Sequence, residues 1–399
     1  MNYYYLINTL GIIMLSVLVG CTERNLLEEL VRNEDHRISQ FIENKDKYEL
    51  QIIYTRVINK EDKKILKTYT YNENADKYFY PASTVKFPAA VLALEKLNEL
   101  NLEGVNKFTH LSIDSVFEGH VSFTKDHRTD CGYPNIADYI KEIFIVSDNE
   151  AFNRLYDFLG QKEINDRMIR KGFSNTNIIH RLSVTRTPKQ NMETNPINFY
   201  NEKGEILYMQ PARIESTNVN LDLQGTLKGK GYFLEGELIN EPMDFSFNNF
   251  FSLRDQHNLL IRIMMPERFD KNELFNLNYE DYKFLKEYMC KLPRESECPK
   301  YNAEKYFDGH VKFLMFGDSK DRIPDNIKIY SKSGLAYGYL TDNAYIVDNL
   351  NNIEFFLSAT IHVNENQIYN DDNYEYDEIG LPFLAELGKI IYEYELNDR

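Results

Sequence analysis

Tryptophan is absent from the 399 residues, cysteine occurs four times, and basic side chains are outnumbered, 46 Lys and Arg against 62 Asp and Glu. The formal charge of −16 repels nucleic acid, and no basic run forms a compensating patch, so nucleic acid is excluded as a partner. None of the eight histidines falls in HExxH and no cysteine pair has CxxC spacing, so neither a metal nor a cofactor is expected. Gly225, Gly229, Gly231 and Gly236 crowd one stretch but match neither GxGxxG nor a phosphate loop; they read as hairpin turns. Beyond residue 20 no apolar run is long enough to span a membrane. What is present is a globular mixture, 43% hydrophobic and 27% charged, which rules out collagen-like and broadly disordered chains.

The N-terminus differs from the rest. Met1 to Cys21 carries no charged side chain, and Leu10 to Gly20 has the length of a signal-peptide core. Its end, Leu18-Val19-Gly20-Cys21, resembles the lipobox of bacterial lipoproteins, in which the cysteine is acylated and becomes the mature N-terminus. The resemblance implies removal of residues 1–20, a lipid on Cys21, and an exported chain 22–399 anchored to a bacterial membrane. A single transmembrane anchor is the alternative, but Tyr3 to Gly20 barely reaches the length and Asn2, Asn8 and Thr9 dilute it; the one departure from the lipoprotein pattern is the missing Lys or Arg before the apolar core. Cys131, Cys290 and Cys298 remain; Cys290 and Cys298 are close enough in sequence to pair, and the odd number leaves at least one thiol over.

Periodicity orders the chain. Asn25 to Asn44 reads as an amphipathic helix, and Tyr48–Val57 with Ile65–Tyr71 as a strand hairpin. Helical patterns dominate from Thr84 to Gly172, and strand formers gather between Leu207 and Leu238. Helices return at Ser252–Met265 and Tyr279–Met289. Strands follow between Ile327 and Val363, and Ile379–Tyr394 closes the chain as a helix. Strands near both ends with helices between them predict one α+β unit whose sheet is completed by distant segments.

Candidate chemistry lies in Tyr80-Pro81-Ala82-Ser83-Thr84-Val85-Lys86. A serine is a weak nucleophile until a neighbouring base takes its proton. On a helix, Lys86 projects beside Ser83 one turn later, and the apolar run Phe87 to Leu97 favours its neutral, basic form. Pro88 fits only if that helix begins close to Ser83.

Two further triplets follow, Ser147-Asp148-Asn149, 64 positions after Ser83, and Lys332-Ser333-Gly334. The ordered set resembles the SxxK, SDN and K-T/S-G signature of class A β-lactamases and penicillin-binding proteins, and Ser147 to Leu155 is similar to the class A run SDNxAxNxL. The resemblance implies a β-lactamase-like α+β fold and an acyl-enzyme on Ser83. It implies Lys86 as base, and Ser147 relaying a proton between Lys86 and Lys332. Asn149 would hold Lys86 and a substrate amide, while Asp148 ties the turn together. Lys332 and Ser333 would receive a substrate carboxylate, Gly334 would let the strand come close, and the N–H groups of Ser83 and Leu335 would form the oxyanion hole.

Two departures stand out. The Ω-loop glutamate that activates the deacylating water in class A enzymes is missing from Arg186-Thr187-Pro188-Lys189-Gln190-Asn191. Thr187 occupies its place and could at most hold a water, and Glu193, the nearest carboxylate, could take over deacylation only if the loop is rebuilt and otherwise reads as an exposed loop charge. The interval from Thr187 to Lys332 is also about twice the class A length, with the excess assigned to a β-rich insertion at about 200–242. Three functions remain open. The first is a β-lactamase-related serine hydrolase acting on β-lactams with deacylation in doubt. The others are a cell-wall D-Ala-type peptidase or acyl transferase, and a non-catalytic penicillin-binding sensor. In each the chain is expected to be a monomer.

Overall fold

The computed structural model describes residues 25–33, 37–61, 63–123 and 132–398. Cys21, the leader 1–20 and Cys131 lie outside them.

The sheet is antiparallel and joins the two ends of the chain. Its strands run, in order, Ile327–Ser331, Tyr339–Asp348, Ile353–His362, Gln51–Lys60 and Lys63–Tyr71, with the short strand Gly334–Ala336 also paired to Tyr339–Asp348. The hairpin expected near residue 60 is therefore present. Period-two alternation in Ile353–His362 fills both faces. Phe355, Leu357, Ala359 and Ile361 pack with Leu27, Phe383 and Ile391 of the terminal helices, whereas Phe356 joins the core of the helical half. Buried His257 fixes the helix Leu253–Met264 to that second face through Thr55 Oγ1 (2.8 Å) and Ser358 Oγ (2.8 Å).

Lys86–Leu100 is buried nearly all round, as a helix this apolar must be. It packs against Ile136–Ile145, Asn149–Leu159 and Gln161–Arg170. Pro88 sits in its first turn, where the missing N–H costs nothing.

Two expectations need correction, and the open question of a Cys290–Cys298 pair is answered. Asn25–Asn44 is not one helix but two short ones, Leu26–Val31 and Ser39–Glu43; the polar run between Val31 and Ile38 offers nothing to bury. The stretch expected to be helical also contributes a strand, His110–Ile113, which pairs with Ile197–Tyr200. Cys290 and Cys298 do not pair. Cys290 is a free thiol at the end of its helix, its Sγ turned back onto Glu287 O at 3.4 Å, while Cys298 is disulfide-bonded.

The β-rich segment after Tyr200 grips the approach to Ser83. Gln224 exchanges main-chain hydrogen bonds with Tyr78 N and Asp76 O, both at 2.9 Å. Lys228 Nζ reaches Tyr78 O at 3.2 Å and Glu49 at 2.6 Å. Around these links Tyr78, Phe79, Tyr80, Phe245, Phe250, Tyr339 and Tyr369 form a separate aromatic core, which accounts structurally for part of the tyrosine and phenylalanine excess.

Candidate active site

Ser83 lies in a 3₁₀ turn, Ala82–Val85, that runs straight into the helix beginning at Lys86. Ala82 adopts φ +47°, a left-handed conformation that a residue with a Cβ takes only when its surroundings impose it. Here Thr84 Oγ1 and N both donate to Pro81 O, at 2.8 and 3.1 Å, and Gly334 packs against the turn. A Cβ on Gly334 would stand 2.6 Å from Ser83 N and 3.0 Å from Thr84 N, so only glycine permits this approach. Leu335, the next residue and 42% exposed, thus follows directly beside the Ser83 turn.

The second triplet is held by a helix cap. Asp148 is the N-cap of Asn149–Leu159, its carboxylate accepting from Ala151 N at 2.8 Å. Ser147 precedes it at φ +59°. Lys86 Nζ donates to Asn149 Oδ1 at 2.7 Å and to Ser147 O, and lies 3.2 Å from Ser147 Oγ. Lys332 Nζ reaches the same Oγ from the other side at 2.9 Å and donates to Ser333 O at 2.6 Å. One hydroxyl thus bridges two amines. Ser83 Oγ makes no hydrogen bond among the described residues, and its face of the turn is partly open.

Burial decides the charges. Lys86 is fully buried and has no carboxylate within ion-pair distance among the described residues; desolvation brings its pKa down to about 7. Lys332, 2% exposed, is also pushed well below the ordinary lysine range, first by burial and then by the nearby Lys86. Burial and Lys86 thus both oppose the fixed charge that the resemblance implies for Lys332, and a substrate carboxylate beside it would favour that charge. A neutral Lys86 has two N–H groups and one lone pair. Ser147 O and Asn149 Oδ1 use the N–H groups, which leaves the lone pair to accept a proton from a hydroxyl.

No motif announces what supports Lys332. Ser333 Oγ donates to Val311 O at 3.0 Å rather than standing free. Lys312 Nζ donates to Met289 O (2.5 Å) and Ser331 Oγ (3.1 Å), and burial lowers its pKa to about 8. Asp342, wholly buried, accepts from Phe313 N and Leu314 N at 2.9 and 3.1 Å, with burial raising its pKa to about 6. These residues belong to no motif; only the sheet brings them behind Lys332.

The Ω-loop candidates are not part of this cluster. Thr187 is exposed and serves as N-cap of the short helix Pro188–Met192, in a reciprocal capping box with Gln190. Glu193 is not the exposed charge expected. It is 8% exposed, begins a two-residue strand paired with Arg213–Ile214, and its carboxylate faces His120 Nε2 at 3.8 Å. The loop residue that does reach the cluster is Ser183, whose Oγ accepts from Asn149 Nδ2 at 2.7 Å.

Residues 36–212 match the family described as the beta-lactamase enzyme family. Among solved structures, a β-lactamase from Burkholderia vietnamiensis is similar with a TM-score of 0.51 at 12% identity, over 95% of this chain and 100% of that one. A class A β-lactamase from Clostridium kluyveri gives 0.47 at 15%, over 89% and 97%. PBP-A gives 0.48 at 16%, over 92% and 93%. No curated protein matches the sequence. The Burkholderia likeness and the family match agree with the α+β, β-lactamase-like fold expected from the three motifs.

Proposed function

We propose that this chain is a serine hydrolase of the β-lactamase and penicillin-binding-protein kind that forms an acyl-enzyme on Ser83 with β-lactams and releases it slowly, a reading supported by the family match over residues 36–212. The observation that carries this reading is Ser147 Oγ held between Lys86 Nζ and Lys332 Nζ, with Lys86 depressed toward neutrality one turn from Ser83. Lys86 takes the Ser83 proton as Oγ attacks the lactam carbonyl, and the N–H groups of Ser83 and Leu335 receive the developing oxyanion. The C–N bond breaks, and the proton passes from Lys86 through Ser147 to the leaving nitrogen. Lys332 holds the substrate carboxylate, joined by the Ser333 hydroxyl once it turns from Val311 O.

Slow release rests on the loop. Thr187 is a cap and Glu193 faces His120, so neither offers a base to a water at the ester. The same observation favours a second reading, a D-Ala-type peptidase or acyl transferase of the cell wall, since such enzymes work without that glutamate. Export on a lipid attached to Cys21 belongs to the proposal and is supported by the apolar run ending in Gly20-Cys21; N-terminal mass spectrometry tests it. For the chemistry, intact-mass analysis after penicillin addition, beside a chromogenic cephalosporin turnover assay, is decisive. A stoichiometric adduct on Ser83 with a burst and weak turnover supports the reading. Fast turnover without an adduct overturns slow release, and neither adduct nor turnover overturns acylation itself.

A further inference from the structure

A cavity of about 220 Å³ lies where three separate segments meet. Lys47 and Glu49 come from just before the strand Gln51–Lys60, Lys228 and Gly229 from the β-rich segment, and His362, Asn364 and Glu365 from the end of the strand Ile353–His362. Its wall includes none of Ser83, Lys86, Ser147 and Lys332. The junction is close-fitted: Lys230 N donates to Gln367 O at 3.0 Å, and a Cβ on Gly229 would stand 2.5 Å from that same oxygen. Ligand pockets usually measure about 300–1,000 Å³, so this smaller space suits a molecule of few atoms.

The charges on this wall are balanced but not used up. Lys228 Nζ donates to Glu49 Oε2 (2.6 Å) and Tyr78 O (3.2 Å), and Lys47 Nζ to Glu365 Oε1 (3.1 Å) and Tyr48 Oη (3.3 Å). An ammonium has three N–H groups, so each lysine keeps one donor over. Glu49 Oε2 also accepts from Tyr339 Oη at 3.1 Å, whereas Glu49 Oε1 stands 3.9 Å from His362 Nδ1, beyond hydrogen-bond reach. Burial lowers the His362 pKa to about 4, so the ring brings no positive charge to that oxygen. Asn364 is 8% exposed; its Nδ2 donates to Ile368 O at 3.1 Å, and its Oδ1 is buried without a partner among the described residues. Glu49 itself is held at φ +42°, a left-handed conformation costly for a residue with a Cβ.

We propose that this cavity binds a small amino-acid zwitterion, its ammonium held by Asn364 Oδ1 and Glu49 Oε1 and its carboxylate by the spare N–H groups of Lys47 and Lys228. An anion alone would leave both spare acceptors unanswered, and a cation alone would leave both spare donors. A zwitterion answers all four and keeps the wall neutral. The inference does not rest on acylation of Ser83.

Calorimetric titration of the full chain at constant ionic strength tests it. Glycine and β-alanine are the zwitterionic probes, methylammonium and acetate the half-ligands. At least one zwitterion is expected to bind one to one, about tenfold or more tighter than either half-ligand, because two charge-assisted contacts act together. Asn364→Leu and Lys47→Gln each weaken that binding by at least about threefold. Thermal unfolding of the unliganded variants separates a lost contact from a lost fold; should Asn364→Leu fail to fold, the exposed Lys47→Gln decides alone. No heat from either zwitterion overturns the site, and so does a half-ligand that binds as tightly. An affinity left unchanged in either folded variant places the binding elsewhere and overturns it as well.

Discussion

Two regions border the same cleft and are built on opposite terms. Around Ser83, Lys86, Ser147 and Lys332, polar groups are buried without counter-ions and point at one another, so that a proton has somewhere to go. Around Thr187 and Glu193, polar groups are engaged locally instead, Thr187 in a capping box and the Glu193 carboxylate against a buried histidine. Unpaired buried groups are costly and persist where function maintains them; paired ones stabilise a loop and do no chemistry. The difference separates forming the acyl-enzyme from releasing it.

The largest effect that tests this contrast is on labelling. Ser83→Ala abolishes attachment of a fluorescent penicillin, and Lys86→Ala slows it by about 10²–10⁴-fold, the usual worth of a general base. Wild-type labelling of Ser83→Ala in a gel assay breaks the comparison on its active side.

Gly334→Ala comes next. The new methyl would sit 2.6 Å from Ser83 N, so the strand or the turn must shift, and a shift near 1 Å at a reacting centre costs about 10²-fold. Thermal unfolding measured beside the acylation rate separates loss of position from loss of fold; an unchanged acylation rate in the variant contradicts the close approach.

A pH profile gives a smaller effect with a fixed sign. The active form of Lys86 is the neutral amine, which predominates above its pKa of about 7. Acylation therefore rises about tenfold from pH 6 to pH 8 and levels off above. A rate that is flat or falls over that interval speaks against Lys86 as the base.

The smallest effect belongs to the loop. Glu193→Gln changes deacylation less than about twofold, because its carboxylate lies against His120 and makes no contact with the Ser83 cluster among the described residues. Thr187→Ala costs about 0.5–2 kcal/mol of stability through the lost cap, with turnover unchanged. A Glu193→Gln chain that traps the acyl-enzyme, seen as a persistent adduct by mass spectrometry, moves the loop to the other side of the comparison.

The two regions also differed in how far they could be read from sequence. The three motifs are short strings at helix starts and a strand edge, where spacing alone fixes which side chains share a face; their positions and the sheet strands were legible for that reason. The loop was not, since Thr187 can be aligned with a missing glutamate without revealing that it caps a helix. Glu193 looked exposed because its partner His120 is 73 positions away in sequence. Lys312 and Asp342 had no motif to betray them, and Cys290 looked close to Cys298 in sequence while its thiol folds back onto its own helix. Short-range order is written locally; long-range pairing is not.

The hydroxyl shared by Lys86 and Lys332 has one more consequence. Two desolvated amines that touch a single oxygen cannot both carry charge cheaply, so a proton on one disfavours a proton on the other. A ligand carboxylate arriving at Lys332 relieves that repulsion, and its docking is thermodynamically coupled to proton capture from solvent. Anion affinity and buffer ionisation are then linked quantities: calorimetric binding heats of a non-acylating carboxylate ligand vary with the buffer used, in proportion to the fraction of a proton taken up.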